Sequence, residues 1–413
     1  MEKLNCLIIG ASHAGVNCAF ALRKEGWTGN ITLFDSDPNL PYHRPPLSKS
    51  FLTSEFGIEK HQLKPQLAYA KDEINLNLGK RITVIDRQNK VVTAVDGVTY
   101  TYDKLVLATG ASPLIPNIEG LKSHPNIYPL RTAQDVLNIK SSFENSISKK
   151  VIIIGGGYIG LEIAASLISL SAHVTLLERE ERLLARVTSP EVSQYFEKTH
   201  KEKGVIIHTA KEVTKITKTE GNLKVTCSDQ TVFESDMIIF GVGIRVNTDL
   251  ATEANLEVKS GIVVNGNCET SDKDIYAIGD NTYHYNPHYD RHLRLESVQN
   301  AVDQGKVAAK AICEKSDVIY DAIPWFWSDQ YNLKLQMVGL IEGYNEVIER
   351  IDLEDENKRS AWFFKNEELL SVQAVNDAKA YVYGTKLIKE KAQVNKGILK
   401  STNEPLDIKR LAL

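Results

Sequence analysis

The sequence predicts an α/β chain in which one strand–turn–helix–strand unit occurs twice, followed by a smaller α/β domain. Three observations predict it. A short apolar run feeds a glycine-rich turn at residues 7–15 and again at 152–160. Each turn is followed by a second apolar run that ends in an acid. Near Tyr320 the pattern changes to aromatic-rich, strand-like runs and then to a lysine-rich tail over residues 386–409.

In the first unit Leu7-Ile8-Ile9 reads as a buried strand and Gly10-Ala11-Ser12-His13-Ala14-Gly15 as a tight turn. The residues on to Leu22 read as a helix with small side chains on its inner face. The second strand, Ile31-Thr32-Leu33-Phe34, ends at Asp35, 25 residues after the first glycine. In the second unit Ile152-Ile153-Ile154 leads into Gly155-Gly156-Gly157-Tyr158-Ile159-Gly160 and a helix to Leu167. There Val174-Thr175-Leu176-Leu177 ends at Glu178, 23 residues after Gly155. Both separations lie near the ~20 residues expected between such a turn and an acid that grips a ribose. The first glycine makes the turn, the second lets backbone N–H groups approach a diphosphate, and the third lets helix and strand pack closely. In the first copy Ser12 replaces the second glycine, adding bulk and a hydroxyl donor. One such motif is weak evidence; two in register predict two Rossmann-like dinucleotide-binding domains.

Two further runs read as strands ending where an open α/β sheet binds ligands. They are Leu105-Val106-Leu107-Ala108-Thr109-Gly110 and Ile275-Tyr276-Ala277-Ile278-Gly279-Asp280. Asp280 is suited to accept from a polyol chain, with helix capping as the alternative, and residues 297–310 read as a helix. His284, His288 and His292 are spaced by four, but Pro287 and its polar neighbours read as a loop, so no metal site is expected.

Composition narrows the function. At 413 residues and 42% hydrophobic, the chain can build two or three domains. A net charge of −4 argues against nucleic acid as a partner. The five cysteines, Cys6, Cys18, Cys227, Cys268 and Cys313, form no C-x-x-C pair and read as free thiols of a reducing cytosol. No apolar run reaches the ~18 residues of a membrane span. The apolar N-terminal run leads straight into the first glycine turn, which signal cleavage would destroy, so a cytoplasmic location is expected.

The ordered set of motifs now supports a comparison. It comprises Gly10–Gly15, Pro41-Tyr42-His43-Arg44-Pro45-Pro46-Leu47-Ser48-Lys49, Ala108-Thr109-Gly110, Gly155–Gly160, Asp280 and Pro324-Trp325-Phe326-Trp327-Ser328-Asp329-Gln330. This set resembles the oxygenase-coupled, NADH-dependent ferredoxin reductases over nearly the whole chain. The resemblance implies an FAD-binding domain over residues 1–120 and 241–319, an NADH-binding domain over 121–240, and a C-terminal reductase domain over 320–413. It implies FAD contacts from Gly10, Ser12, Ala14, Gly15, Arg44, Thr109, Gly110, Arg131, Asp280 and Val298, with Ile82 at the adenine end. Lys49 and Trp327 are implied beside the flavin. The family's ribose acid falls at Ser36, whereas the internal repeat favours Asp35. NADH is implied at Gly155, Gly157, Ile159, Gly160, Glu178 and Gly243, with Glu162 facing the nicotinamide and pairing with Lys49.

The reaction so implied needs a hydride donor laid against a flavin and little acid–base work. Lys49, Glu162 and Trp327 are the residues expected to carry it. Glu178 should receive the ribose hydroxyls and repel a 2′-phosphate, although the adjacent Arg179 leaves NADPH open. Trp325 and Phe326 are assigned to the core. No cysteine lies between Pro38 and Phe56, where disulfide-type relatives place theirs, so electrons are expected to leave the flavin directly. The implied acceptor is a small acidic iron–sulfur protein, a ferredoxin or rubredoxin, docking on basic residues such as Arg294, Lys306 and Lys334. Alternatives are an NADH oxidase or quinone reductase, and a slowly turning redox sensor. A monomer or homodimer fits equally.

Overall fold

The computed structural model describes residues 3–219, 222–315 and 319–413. The chain forms two compact units, each assembled from three separate segments. The first comprises Met1–Arg44, Phe56–Ser112 and Ile244–Pro324; the second comprises Pro45–Glu55, Pro113–Gly243 and Trp325–Leu413.

The first unit is built on a five-stranded parallel sheet in the order Ile275–Ala277, Lys104–Leu107, Asn5–Ile9, Asn30–Phe34, Ile74–Asn77. Strands of a parallel sheet are covered on both faces, which is why Cys6 to Ile9 are all buried. Alternation along the strands sorts their side chains to opposite faces. Cys6, Ile8, Ile31, Leu33, Val106 and Tyr276 belong to one core, and Leu7, Ile9, Leu105, Leu107 and Ile275 to another. The helices His13–Glu25 and Val298–Ile312 pack on the first core. Their approach is close: a Cβ at Gly305 would lie 2.9 Å from the carbonyl oxygen of Ala14. The antiparallel strands Ile82–Asp86, Val91–Ala94 and Thr99–Thr101 supply Ile82, Ile85, Val92 and Ala94 to the second core.

The segment carrying His284, His288 and His292 is a hairpin rather than the expected loop. Strands Thr282–Asn286 and Arg291–Leu293 pair antiparallel, placing His284 and His292 on strands and His288 in the turn. Pro287 marks only that turn, and the polar composition around it masked the strands.

The second unit repeats the order of four strands, with its fifth, Ile127–Pro129, preceding the motif strand in the chain. Its parallel sheet runs Ile206–His208, His173–Leu177, Lys150–Ile154, Met237–Phe240, Ile127–Pro129, and the helix Tyr158–Ser169 follows the glycine turn. The same unit holds a five-stranded antiparallel sheet, ordered Trp325–Gln330, Leu333–Gly339, Glu368–Val375, Arg359–Lys365, Glu346–Ile351. Trp362, Phe363 and Phe364 are fully buried there. The helix Ala378–Lys389 lies against this sheet, with Gly384 so close to Val372 that a Cβ would approach its side chain to 2.5 Å. Among the described residues no helix is long and apolar enough to cross a membrane.

Candidate functional site

The two glycine turns share one steric logic. Gly10 and Gly155 take φ of +109° and +111°, a region closed to most side chains. A Cβ at Gly10 would overlap the carbonyl oxygen of Ala108, and one at Gly155 that of Gly241. At the third position a Cβ on Gly15 or Gly160 would overlap the carbonyl oxygen of the turn's own first glycine. The middle position differs: a Cβ at Gly157 would meet nothing within 4 Å. Protein packing therefore explains glycine at the first and third positions but not at 157. The same openness explains why Ser12 is tolerated at the matching place, where it stands as the N-cap of the helix His13–Glu25. Space left open at a helix N-terminus, whose first N–H groups have no intrahelical partner, fits the diphosphate of a dinucleotide.

The acid at the end of each second strand braces its turn. Asp35 accepts from the N–H of Ala11 at 2.7 Å and from that of Asp37 at 2.9 Å. Glu178 accepts from the N–H of Gly156 at 2.5 Å and from that of Glu180 at 2.8 Å. Both carboxylates keep lone pairs for ribose hydroxyls. Ser36 is exposed beside Asp35. Arg179 turns away to pair with Glu180 at 2.8 Å.

Of the remaining first-unit candidates, Arg44, Thr109, Gly110 and Asp280 lie on loops. Arg44 donates to the hydroxyl of Tyr42 at 2.8 Å, and its Nε lies 3.5 Å from Ser12 Oγ. Thr109 donates to the carbonyl of Asn247 at 2.8 Å and accepts from Asn281 at 2.9 Å, while the carbonyl of Gly110 accepts from the N–H of Asn247 at 3.0 Å. Asp280 follows Gly279, whose N–H donates to Gln304 Oε1 at 2.7 Å. Next to it, Asn281 Oδ1 is buried with no partner among the described residues, an acceptor suited to a hydroxyl donor. Val298 begins a helix capped by Ser297, and Asp280 is not that cap. Ile82 is only 4% exposed within the core, so a ligand contact there belongs to its backbone.

In the second unit one carboxylate gathers the chemistry. Glu162 lies in the first turns of the helix Tyr158–Ser169, and its side chain is 3% exposed. Lys49 Nζ sits 2.6 Å from its Oε2, the pairing the motifs implied. Ser48 donates to the same oxygen at 2.5 Å, and Ser328 donates to Oε1 at 2.7 Å. Lys49 follows a 3-10 turn over Pro45–Ser48, and Ser166 on the Glu162 helix donates to the carbonyl of Ser48 at 2.7 Å. The stiff proline turn is thus tied to the helix that carries its partner.

Ile159, 41% exposed, presents an apolar side chain at the start of that helix. Gly243, at φ +127°, accepts from the N–H of Leu114 at 3.0 Å. Arg131 precedes the capping box formed by Thr132 and Asp135. Trp327 is partly exposed, its ring 5.5 Å from that of Trp325. Neither of its aromatic neighbours is fully buried: Trp325 is 37% exposed, and Phe326 rests on Tyr158 with ring centroids 5.0 Å apart. The strand is the edge strand of its sheet, and its first three residues are not buried. Sequence reasoning gave no role to Ser48, Ser328, Gln330 or His200. The signal was present: Ser328 and Gln330 are polar residues at alternate positions that proved to be buried.

Burial pushes Cys6 up to about 12 and raises Cys18 and Cys268 as well.

Two parallel-sheet units, each with a braced glycine turn, and a buried carboxylate paired with a lysine define a two-dinucleotide oxidoreductase. The chain belongs to the pyridine nucleotide-disulphide oxidoreductase family, whose model matches residues 4–305, and residues 325–412 match the reductase C-terminal domain. It is 39% identical to putidaredoxin reductase CamA of Pseudomonas putida, over 97% of this chain and 96% of that protein. It is 37% identical to a rubredoxin-NAD(+) reductase of Pseudomonas putida, over 90% and 95% of the two chains. The reductase chain in a crystal structure of the covalent putidaredoxin reductase–putidaredoxin complex matches with a TM-score of 0.91 at 37% identity, covering 99% and 98% of the two chains.

Proposed function

We propose that this chain is an FAD-dependent reductase that takes hydride from NADH and passes electrons singly to a ferredoxin- or rubredoxin-type iron–sulfur protein, supplying an oxygenase or cytochrome P450. The observation that carries the reading is the pairing of Lys49 with buried Glu162, which lies on the helix of the second glycine turn. The relatives named for putidaredoxin and rubredoxin reduction support the acceptor. FAD, when bound, supplies the capacity to accept two electrons as hydride and release them one at a time.

The proposed division is an FAD-binding domain over 1–120 and 241–319, an NADH-binding domain over 121–240 and a reductase domain over 320–413. Toward FAD we assign Gly10, Ser12, Ala14, Gly15, Asp35, Ser36, Arg44, Ile82, Thr109, Gly110, Asp280 and Val298 of the first unit, and Lys49, Arg131 and Trp327 of the second. Toward NADH we assign Gly155, Gly157, Ile159, Gly160, Glu178 and Gly243. Glu162 holds the Lys49 ammonium in a fixed direction, which preorganises a positive charge for a reduced ring system. Glu178 repels a 2′-phosphate and receives ribose hydroxyls, selecting NADH. We place the enzyme in the cytoplasm.

Purified, FAD-loaded protein should turn over NADH faster with a ferredoxin than with quinone or oxygen. Equal rates with all three acceptors, or a protein that retains no flavin, would overturn the assignment. Glu178→Ala should raise the KM for NADH by roughly 10- to 100-fold, the loss of hydrogen bonds to a charged group. Unchanged preference for NADH over NADPH in that variant would remove Glu178 from the account.

A further inference from the structure

Glu162 is the inner end of a buried hydrogen-bonded series that continues well beyond Lys49. Ser328 Oγ lies 2.7 Å from Glu162 Oε1, and Gln330 Nε2 lies 3.1 Å from Ser328 Oγ. Gln330 Oε1 lies 2.8 Å from His200 Nε2, and the Tyr331 hydroxyl lies 3.1 Å from His200 Nδ1. Ser328, Gln330 and His200 are all buried.

Donor counting fixes the direction of every bond. A carboxylate paired with lysine only accepts, so the single Ser328 proton goes to Glu162. The other neighbour of Ser328 must then donate, which puts the Gln330 amide nitrogen on Ser328 and its oxygen on His200. That oxygen requires N–H at His200 Nε2. Burial lowers the imidazole to about 4, so the ring is neutral and Nδ1 accepts. Burial also raises the Tyr331 phenol, which therefore remains a donor.

We propose that Ser328, Gln330, His200 and Tyr331 are positioning residues, a one-way donor series that holds the Glu162 carboxylate in register with Lys49. An amide in the middle cannot relay protons, so the series orients and polarises rather than conducts. It joins the C-terminal sheet, through the strand Trp325–Gln330, to the helices Pro190–Glu202 and Tyr158–Ser169. The proposal rests on the reading of Glu162 as the carboxylate on the nicotinamide side.

Two measurements on the FAD-loaded protein test it. ¹⁵N NMR of labelled histidine should show His200 as the Nε2–H tautomer from pH 6 to 8; an Nδ1–H tautomer would overturn the series whatever the enzyme's activity. In single-turnover reduction by NADH, Ser328→Ala and Gln330→Met should slow the limiting rate about fivefold or more at an unchanged Kd for NADH. Ser328→Thr, which keeps the hydroxyl, should restore the rate. Wild-type limiting rates in both disrupted variants would also overturn the proposal. Should Ser328→Ala or Gln330→Met fail to fold, the tautomer of the wild-type protein still decides. A wild-type protein that NADH does not reduce would remove the proposed function, while the tautomer would still report on the series.

Discussion

Gly157 and Gly160 stand three residues apart in one turn and are glycine for different reasons. A Cβ at 160 collides with the backbone of Gly155, whereas one at 157 points into open space. Gly160→Ala should therefore lower stability by about 1–3 kcal/mol through overpacking, read as a lower thermal midpoint. Gly157→Ala should fold with the wild-type midpoint yet weaken NADH by roughly tenfold, about 1.4 kcal/mol, in a titration of the purified protein. Equal thermal losses in the two variants would mean that the middle glycine is structural. Both positions were legible because a fixed spacing encodes a backbone requirement. Lys49 and Glu162 were legible only together with their motifs, since a lysine and a glutamate 113 residues apart carry no pairing signal of their own. Ser328 and Gln330 escaped notice because their meaning depends on which strand face is buried, and that is set by the helices packed against it.

At the scale of elements, the parallel strands were readable because burial on both faces writes continuous apolar runs such as Val151 to Ile154. The C-terminal tail was not. Most of its lysines are exposed, but Lys396 pairs with Glu346 at 2.8 Å and with Glu367 at 3.2 Å. Arg350, on the strand Glu346–Ile351, donates to the carbonyls of Ile398, Leu399, Ser401 and Glu404. One buried guanidinium thus gathers backbone acceptors from four residues, a long-range arrangement that local composition cannot announce. Arg350→Met should destabilise the protein by about 2–3 kcal/mol. Amide exchange should then accelerate over residues 396–404 while the strand Lys150–Ile154 stays protected. Unchanged exchange in the tail would show that these bonds do not hold it.

The whole molecule responds to acid through histidines that folding keeps neutral. His200 and His284 are both lowered to about 4 by burial, against about 6.5 in an unfolded chain. Between those values the unfolded chain binds protons that the folded one does not, so stability rises with pH there. Stability should accordingly fall by up to about 3 kcal/mol for each histidine as pH drops from about 6.5 toward 4, read as a lower thermal midpoint. His200→Gln should flatten that slope, and a slope unchanged by it would exclude His200 as a source. The net charge of −4 gives no hint of this behaviour. Of the expected docking cations, Arg294 and Lys306 already face Glu296 and Asp303, and Lys334 is exposed. The duplicated brace from Asp35 and Glu178 to the N–H groups of Ala11 and Gly156 has a practical side for anyone redesigning coenzyme choice. Deleting the acid to admit a phosphorylated nucleotide would also unlatch the loop meant to hold it. A successful swap must leave an oxygen behind, as glutamine does, and find its new cation elsewhere.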